Sequence, residues 1–156
     1  MGISQTPQAI VPASFSSFVT PFTTWTAFTP VWNNLTVGNA GQEARYTQIG
    51  KTVFFWVKLE LGSTSSVGTE PRMNFPIEAR STAAGQCAQL NYNFLDNGVA
   101  QYFAIGAGLV NTQTTFRLHI FNANSTYVNS TQITSTTPFS WGSSDIIHIS
   151  GSYEVA

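Results

Sequence analysis

Lys51-Thr52-Val53-Phe54-Phe55-Trp56-Val57-Lys58-Leu59-Glu60-Leu61 decides the fold class. Val53, Phe55, Val57, Leu59 and Leu61 recur at every second position, the period at which a pleated strand sends its side chains to one face. That face is core, and Thr52, Phe54, Trp56, Lys58 and Glu60 take the other. Residues 114–121 alternate in the same way, with Thr114, Phe116, Leu118 and Ile120 inward and Thr115, Arg117, His119 and Phe121 outward. Near the end of the chain Ile147, Ile149, Tyr153 and Val155 share a face, opposite Ile146, His148, Ser150, Ser152 and Glu154. Gly151, within the apolar set, is expected to mark a bulge or a close crossing.

Composition agrees with strands. The 156 residues include 36 Ser and Thr, while the helix formers Lys, Glu and Met are scarce. Asp96-Asn97-Gly98 separates 89–95 from 99–105, and Asn-Gly suits the type I′ turn of a tight hairpin. Further breaks at 38–41, 62–71, 79–85, 122–125 and 135–138 divide the chain into about eight strands. The expected fold is all-β, an antiparallel β-sandwich or jelly roll, and a chain this long fits one domain over 25–156. Residues 1–24 read as an extended arm, because Pro7, Pro12 and Pro21 break any ladder and Phe15, Phe18 and Phe22 stand isolated. The arm either docks onto a neighbouring subunit or folds back over an edge strand of its own sandwich.

Charge excludes several function classes. Six Lys and Arg stand against seven Asp and Glu, so nothing provides the basic footprint that nucleic acid or an anionic membrane requires. No stretch approaches the roughly 20 apolar residues of a membrane helix. Residues 1–7 lack a basic region and an apolar region, so no secretory signal is expected and synthesis is placed in a cytoplasm. Gly2 with Thr6 fits the short myristoylation pattern only loosely. The lone Cys87 reads as a small core residue.

Catalytic patterns are weak throughout, and the chain is expected not to be an enzyme. His119 and His148 sit on outward strand faces, and no carboxylate is expected to be placed to orient them. Asp145 lies three residues before His148, which in a strand places it on the opposite face, so Asp145, His148 and Ser150 do not form a triad. Gly50-Lys51-Thr52 resembles the end of a phosphate-binding loop, but Arg45 occupies the upstream glycine position and a strand follows. One cysteine and two histidines cannot make a structural zinc site alone, so neither metal nor cofactor is expected. Thr follows by two positions at Asn34, Asn124 and Asn129, a glycosylation pattern that chance supplies in so Thr-rich a chain.

More informative are aromatics where solvent should be: Phe54 and Trp56, Phe121 beside His119, and Trp25, Trp32 and Trp141 near strand ends. Either they stack on a sugar, with Asn and Gln bonding its hydroxyls, or they are buried against another subunit. Phe54, Trp56, His119 and Phe121 are the candidate interface residues. A homotrimer would cover Phe54 and Trp56 and remove an edge strand, in which case Trp56→Asp disrupts assembly without unfolding the monomer.

Three segments carry a resemblance. They are Trp25-Thr26-Ala27-Phe28-Thr29-Pro30-Val31-Trp32, then Gly41-Gln42-Glu43-Ala44-Arg45-Tyr46-Thr47-Gln48-Ile49-Gly50-Lys51-Thr52-Val53, and Leu61-Gly62-Ser63-Thr64-Ser65-Ser66; Gly151-Ser152-Tyr153-Glu154 closes the pattern. Together they resemble tail-associated and fibre-tip domains of bacteriophages, in which a Trp-x-x-Tyr-Thr-Pro-x-Trp entry strand precedes an Arg-Tyr-x-x-Ile-Gly-Lys-Thr-Val hairpin. Phe28 stands here for the usual Tyr. The resemblance covers about residues 25–156 and brings no catalytic residues. It implies a β-sandwich, often trimeric, on the exterior of a virion, partnered by tail or major capsid proteins and by host-surface glycan where it attaches. A minor tail or fibre-tip subunit is favoured; head decoration or cement is the alternative, and a free carbohydrate-binding module the third reading. With no heptads or long shaft, the chain is expected not to be a whole fibre.

Overall fold

The computed structural model describes residues 24–80, 88–99, 101–104, 108–110, 112–122 and 126–155. The expected arm, apart from Thr24, lies outside them, as do Cys87 and Ile105. Eleven strands follow in chain order: β1 (Thr26–Ala27), β2 (Trp32–Thr36), β3 (Gly41–Ile49), β4 (Thr52–Glu60), β5 (Ser66–Asn74), β6 (Ala88–Asp96), β7 (Gln101–Ala104), β8 (Gly108–Val110), β9 (Thr115–Asn122), β10 (Asn129–Gln132) and β11 (Ile146–Glu154). They make two antiparallel sheets packed as a sandwich. The first has six strands, counting the two-residue β1, in the order β1-β3-β4-β11-β6-β7. The second has five, in the order β10-β9-β5-β2 with the three-residue β8 also paired to β9.

The alternation of β4 is realised in full. Val53, Phe55, Val57 and Leu59 are buried, as are Ile147, Ile149 and Tyr153 on β11 beside them. They meet Met73 of β5 and Phe116 and Leu118 of β9 across the sandwich. Polar clips fix the layers. The Tyr92 hydroxyl on β6 donates to the Arg117 carbonyl on β9 at 3.1 Å, and burial pushes this phenol's pKa well above its ordinary range. The Tyr153 hydroxyl donates to the Ile77 carbonyl at 2.7 Å and accepts from the Ile77 N–H at 3.0 Å, which ties the segment after β5 to β11.

Several sequence expectations are corrected. The described residues make eleven strands rather than about eight, some of them only two to four residues long. A two-residue hairpin turn exists, but it is Gly50-Lys51, between β3 and β4: Ile49 pairs Thr52 and Gly50 has φ +58°. A glycine at the first turn position matches the twist of the strands it joins. Between β6 and β7 the pairing of Asp96 with Gln101 leaves a longer loop, and Asn97 and Gly98 lack the positive φ of a type I′ turn. Asp96 Oδ1 instead accepts from the Gly98 N–H at 3.0 Å, and Asp145 Oδ1 from the Asn97 N–H at 2.9 Å.

The expected break at 62–71 is too long, because β5 begins at Ser66. Pro71 sits within that strand, where the β2–β5 register shifts between Asn33 and Leu35, and a bulge needs no donor from proline. Gly151 is not a bulge: its pairing with Phe55 and Leu90 continues the register on both sides. Thr114 is exposed just before β9 rather than inward. Its backbone turns there, so strand alternation does not extend to it.

Candidate functional site

The outer face of the six-stranded sheet is built by register. Arg45 of β3 pairs Trp56 of β4, Trp56 pairs Ser150 of β11, and Ser150 pairs Asn91 of β6, forming one rung across four strands. A neighbouring rung runs Thr47, Phe54, Ser152, and another Glu43, Lys58, His148, Asn93. Paired residues project to the same face, so aromatics on β4 lie beside short hydroxyl and amide side chains on β11 and β6. Trp25 enters from just before β1 and is 49% exposed; Phe54 is 41% exposed.

Two shallow depressions result. One, of about 410 Å³, lies among Trp25, Arg45, Phe54, Trp56, Asn91 and Ser152. The other, of about 310 Å³, shares Trp56, Asn91 and Ser150 and adds Asn93 and His148. The Arg45 guanidinium is 5.5 Å from the centre of the Trp25 ring and 4.8 Å from that of Trp56, a cation held between two indoles. Glu43 is 3.5 Å away, but both side chains are about half exposed, so that pair contributes little. His148 lies against Trp56 at 6.0 Å between ring centres; burial first, and Lys58 beside it, push its pKa below 6.5. Lys58 itself is paired with Glu60 at 2.9 Å. Asn93 Oδ1 is buried without a hydrogen-bond partner.

The four residues expected to share an interface do not form one patch. Phe54 and Trp56 lie on this face, whereas His119 and Phe121 belong to β9 in the other sheet. Phe121 is 46% exposed, but His119 is only 7% exposed and does not face solvent. Alternation assigned it correctly to the non-core side of β9, yet that side is filled there by a charged cluster. Glu70 of β5 pairs with Arg72 and, at 3.0 Å, with Arg117, while Gln132 of β10 donates to it at 3.2 Å. His119 Nε2 is 3.9 Å from the same carboxylate, so the expectation that no carboxylate stands by this histidine is corrected: β5 supplies one from a distant part of the sequence.

The remaining candidates have structural partners. Trp32 Nε1 donates to Gln42 Oε1 at 2.9 Å, and Trp141 Nε1 to the Thr134 carbonyl at 3.0 Å, each ring at the margin of the core. Asp145 is buried, with its carboxylate accepting from the Asn97 and Gly142 N–H groups. Among the described residues no three His, Cys, Asp or Glu side chains gather as metal ligands. Sequence reasoning missed Arg45, Asn91 and Asn93. Only the pairings β3–β4–β11–β6, which join segments nearly a hundred residues apart in sequence, bring them beside Trp56. No family model, no curated protein and no solved structure matches this chain, which leaves the reading of the face to its own residues.

Proposed function

We propose that the chain is a non-enzymatic subunit on the exterior of a bacteriophage particle, of the minor-tail or fibre-tip type, which docks through its N-terminal arm and contributes to host attachment. The outer face of the six-stranded sheet is where it would hold a surface glycan. The observation behind this is the rung Arg45, Trp56, Ser150, Asn91 beside the half-exposed Phe54 and Trp25. Flat aromatic surface covers the apolar side of a pyranose while amides and hydroxyls bond its rim. Asn91, Ser150 and Ser152 supply those polar groups beside the rings. Placement on a virion rests on the sequence resemblance.

Copy number tests the placement. Quantitative mass spectrometry against the major capsid protein is expected to give a few to tens of copies per particle; hundreds would make the chain a head-decoration protein. A second measurement separates glycan site from subunit interface. Trp56→Asp is expected to weaken binding to host-wall glycans at least about tenfold, as loss of a central aromatic anchor does, with the sedimentation coefficient unchanged. A slower-sedimenting variant would instead make the face an interface between copies.

A further inference from the structure

Arg45 has a setting that the glycan reading alone does not require. Among the residues around the larger depression it is the one that carries a charge. Its guanidinium is positioned by two indoles, and its ion-pair partner among the described residues is the solvated Glu43 at 3.5 Å. Stacking occupies the faces of a guanidinium and leaves its N–H edges free to point elsewhere. A guanidinium already held in place loses little side-chain freedom when it engages a planar carboxylate with two parallel hydrogen bonds. With Glu43 more than half exposed and 3.5 Å away, water screens that pair, and a positive charge in a depression otherwise lined by uncharged side chains is a selectivity element, because a neutral sugar gains little from it.

We infer that the glycan bound on this face is acidic: a pyranose bearing a carboxylate sits in the larger depression, its carboxylate on Arg45. This rests on the glycan reading given above. The sugar's apolar side meets Phe54 and Trp56, and Ser150, Ser152 and Asn91 line the rim at its hydroxyls. The smaller depression continues past Trp56: Lys58 beside it is paired with Glu60, and burial, then Lys58, lower the His148 pKa, which disfavours a second positive charge there. A neutral ring suits it, with Asn91, Asn93 and Ser150 along its lining. The ligand is therefore a chain of at least two rings with the acid at a defined position.

The test uses the full chain and a panel of oligosaccharides containing glucuronate, galacturonate or mannuronate, each beside its carboxyl-reduced counterpart, which keeps every linkage and removes only the charge. Calorimetry is expected to find an acidic member that binds, with its reduced form about tenfold weaker, the size of one charge-assisted contact. Arg45→Gln should erase that difference, and Arg45→Lys should restore part of it. Added salt should weaken the acidic ligand and not the reduced one. Equal affinity for acidic and reduced forms overturns the inference and leaves the glycan reading standing, as does equal binding of a polyol-phosphate polymer. Binding to no member of the panel, charged or reduced, overturns the acidic inference, and if host-wall glycan preparations also fail to bind, the glycan reading falls with it.

Discussion

Replacing Phe55 with Ala lowers the unfolding free energy by about 3–5 kcal/mol, the cost of removing a buried aromatic ring and leaving its cavity. The value lies at the upper end because the site cannot collapse. Phe55 is 2% exposed, and its ring meets Phe75 at 6.5 Å and Phe116 and Tyr153 at 5.9 Å between centres. Its partner on β11 is Gly151, which has no side chain to move into the space. Phe75 and Tyr153 also hold each other, at 4.4 Å, and Tyr153 is pinned by both polar groups of Ile77. Phe55→Leu keeps most of the volume and should lose less than half as much. Urea denaturation checks this: the midpoint should fall with the slope unchanged, and a loss under about 1 kcal/mol for Phe55→Ala would mean that the two sheets close over the gap.

Strands were legible wherever one face meets core and the other meets solvent. β4 and the C-terminal β11 met that condition, and Val53 through Leu59 and Ile147 through Tyr153 lie as the alternation requires. Turn chemistry was less decisive. Asn97-Gly98 and Gly50-Lys51 are both good turn sequences, and the choice between them was made by register: Ile49 faces Thr52 directly, whereas Asp145 reaches in from before β11 to hold the Asn97 N–H. Pro71 read as a loop residue because it cannot donate to a ladder, but a register shift against β2 removes the need for that donor. Both outer faces were half legible. Period two names the residues on an outer face, and it cannot say which strands stand side by side. Trp56 and Ser150 were each assigned outward, but their adjacency follows from a strand pairing between residues 94 positions apart in the numbering. The same limit hid Glu70 from His119.

Glu70→Gln is expected to cost about 2 kcal/mol at neutral pH, the worth of charge-assisted bonds in a partly buried site. Arg72 and Arg117 are direct cross-strand partners, an arrangement of like charges that is unfavourable by itself. The Glu70 carboxylate, with its side chain 12% exposed, bridges them and reverses the sign. It does so from a left-handed backbone, φ +54°, which for a residue with a side chain costs about 1–2 kcal/mol and persists because the cluster offsets it. Glutamine keeps the shape and removes the charge, and since each arginine is about one third exposed, water recovers part of the loss.

Acid acts on the same cluster in two stages. Burial first, then the Arg117 charge, lowers the His119 pKa below 6.5 against the opposing pull of Glu70, so the unfolded chain takes this proton first and stability falls below about pH 6.5. His148, also lowered, shares that stage, and His119→Phe removes the part belonging to His119. Glu70 is held below 4.5 chiefly by the hydrogen bond from Arg72, so its contribution is present above that value and is lost as pH falls further. The difference between wild type and Glu70→Gln in urea midpoints should therefore be constant above about pH 6.5, widen below it because the glutamine no longer pulls the His119 pKa up, and shrink below about pH 4.5. A difference that stays the same at about pH 3 would show that the glutamine destabilises by shape, and that the carboxylate charge does not hold the two arginines together.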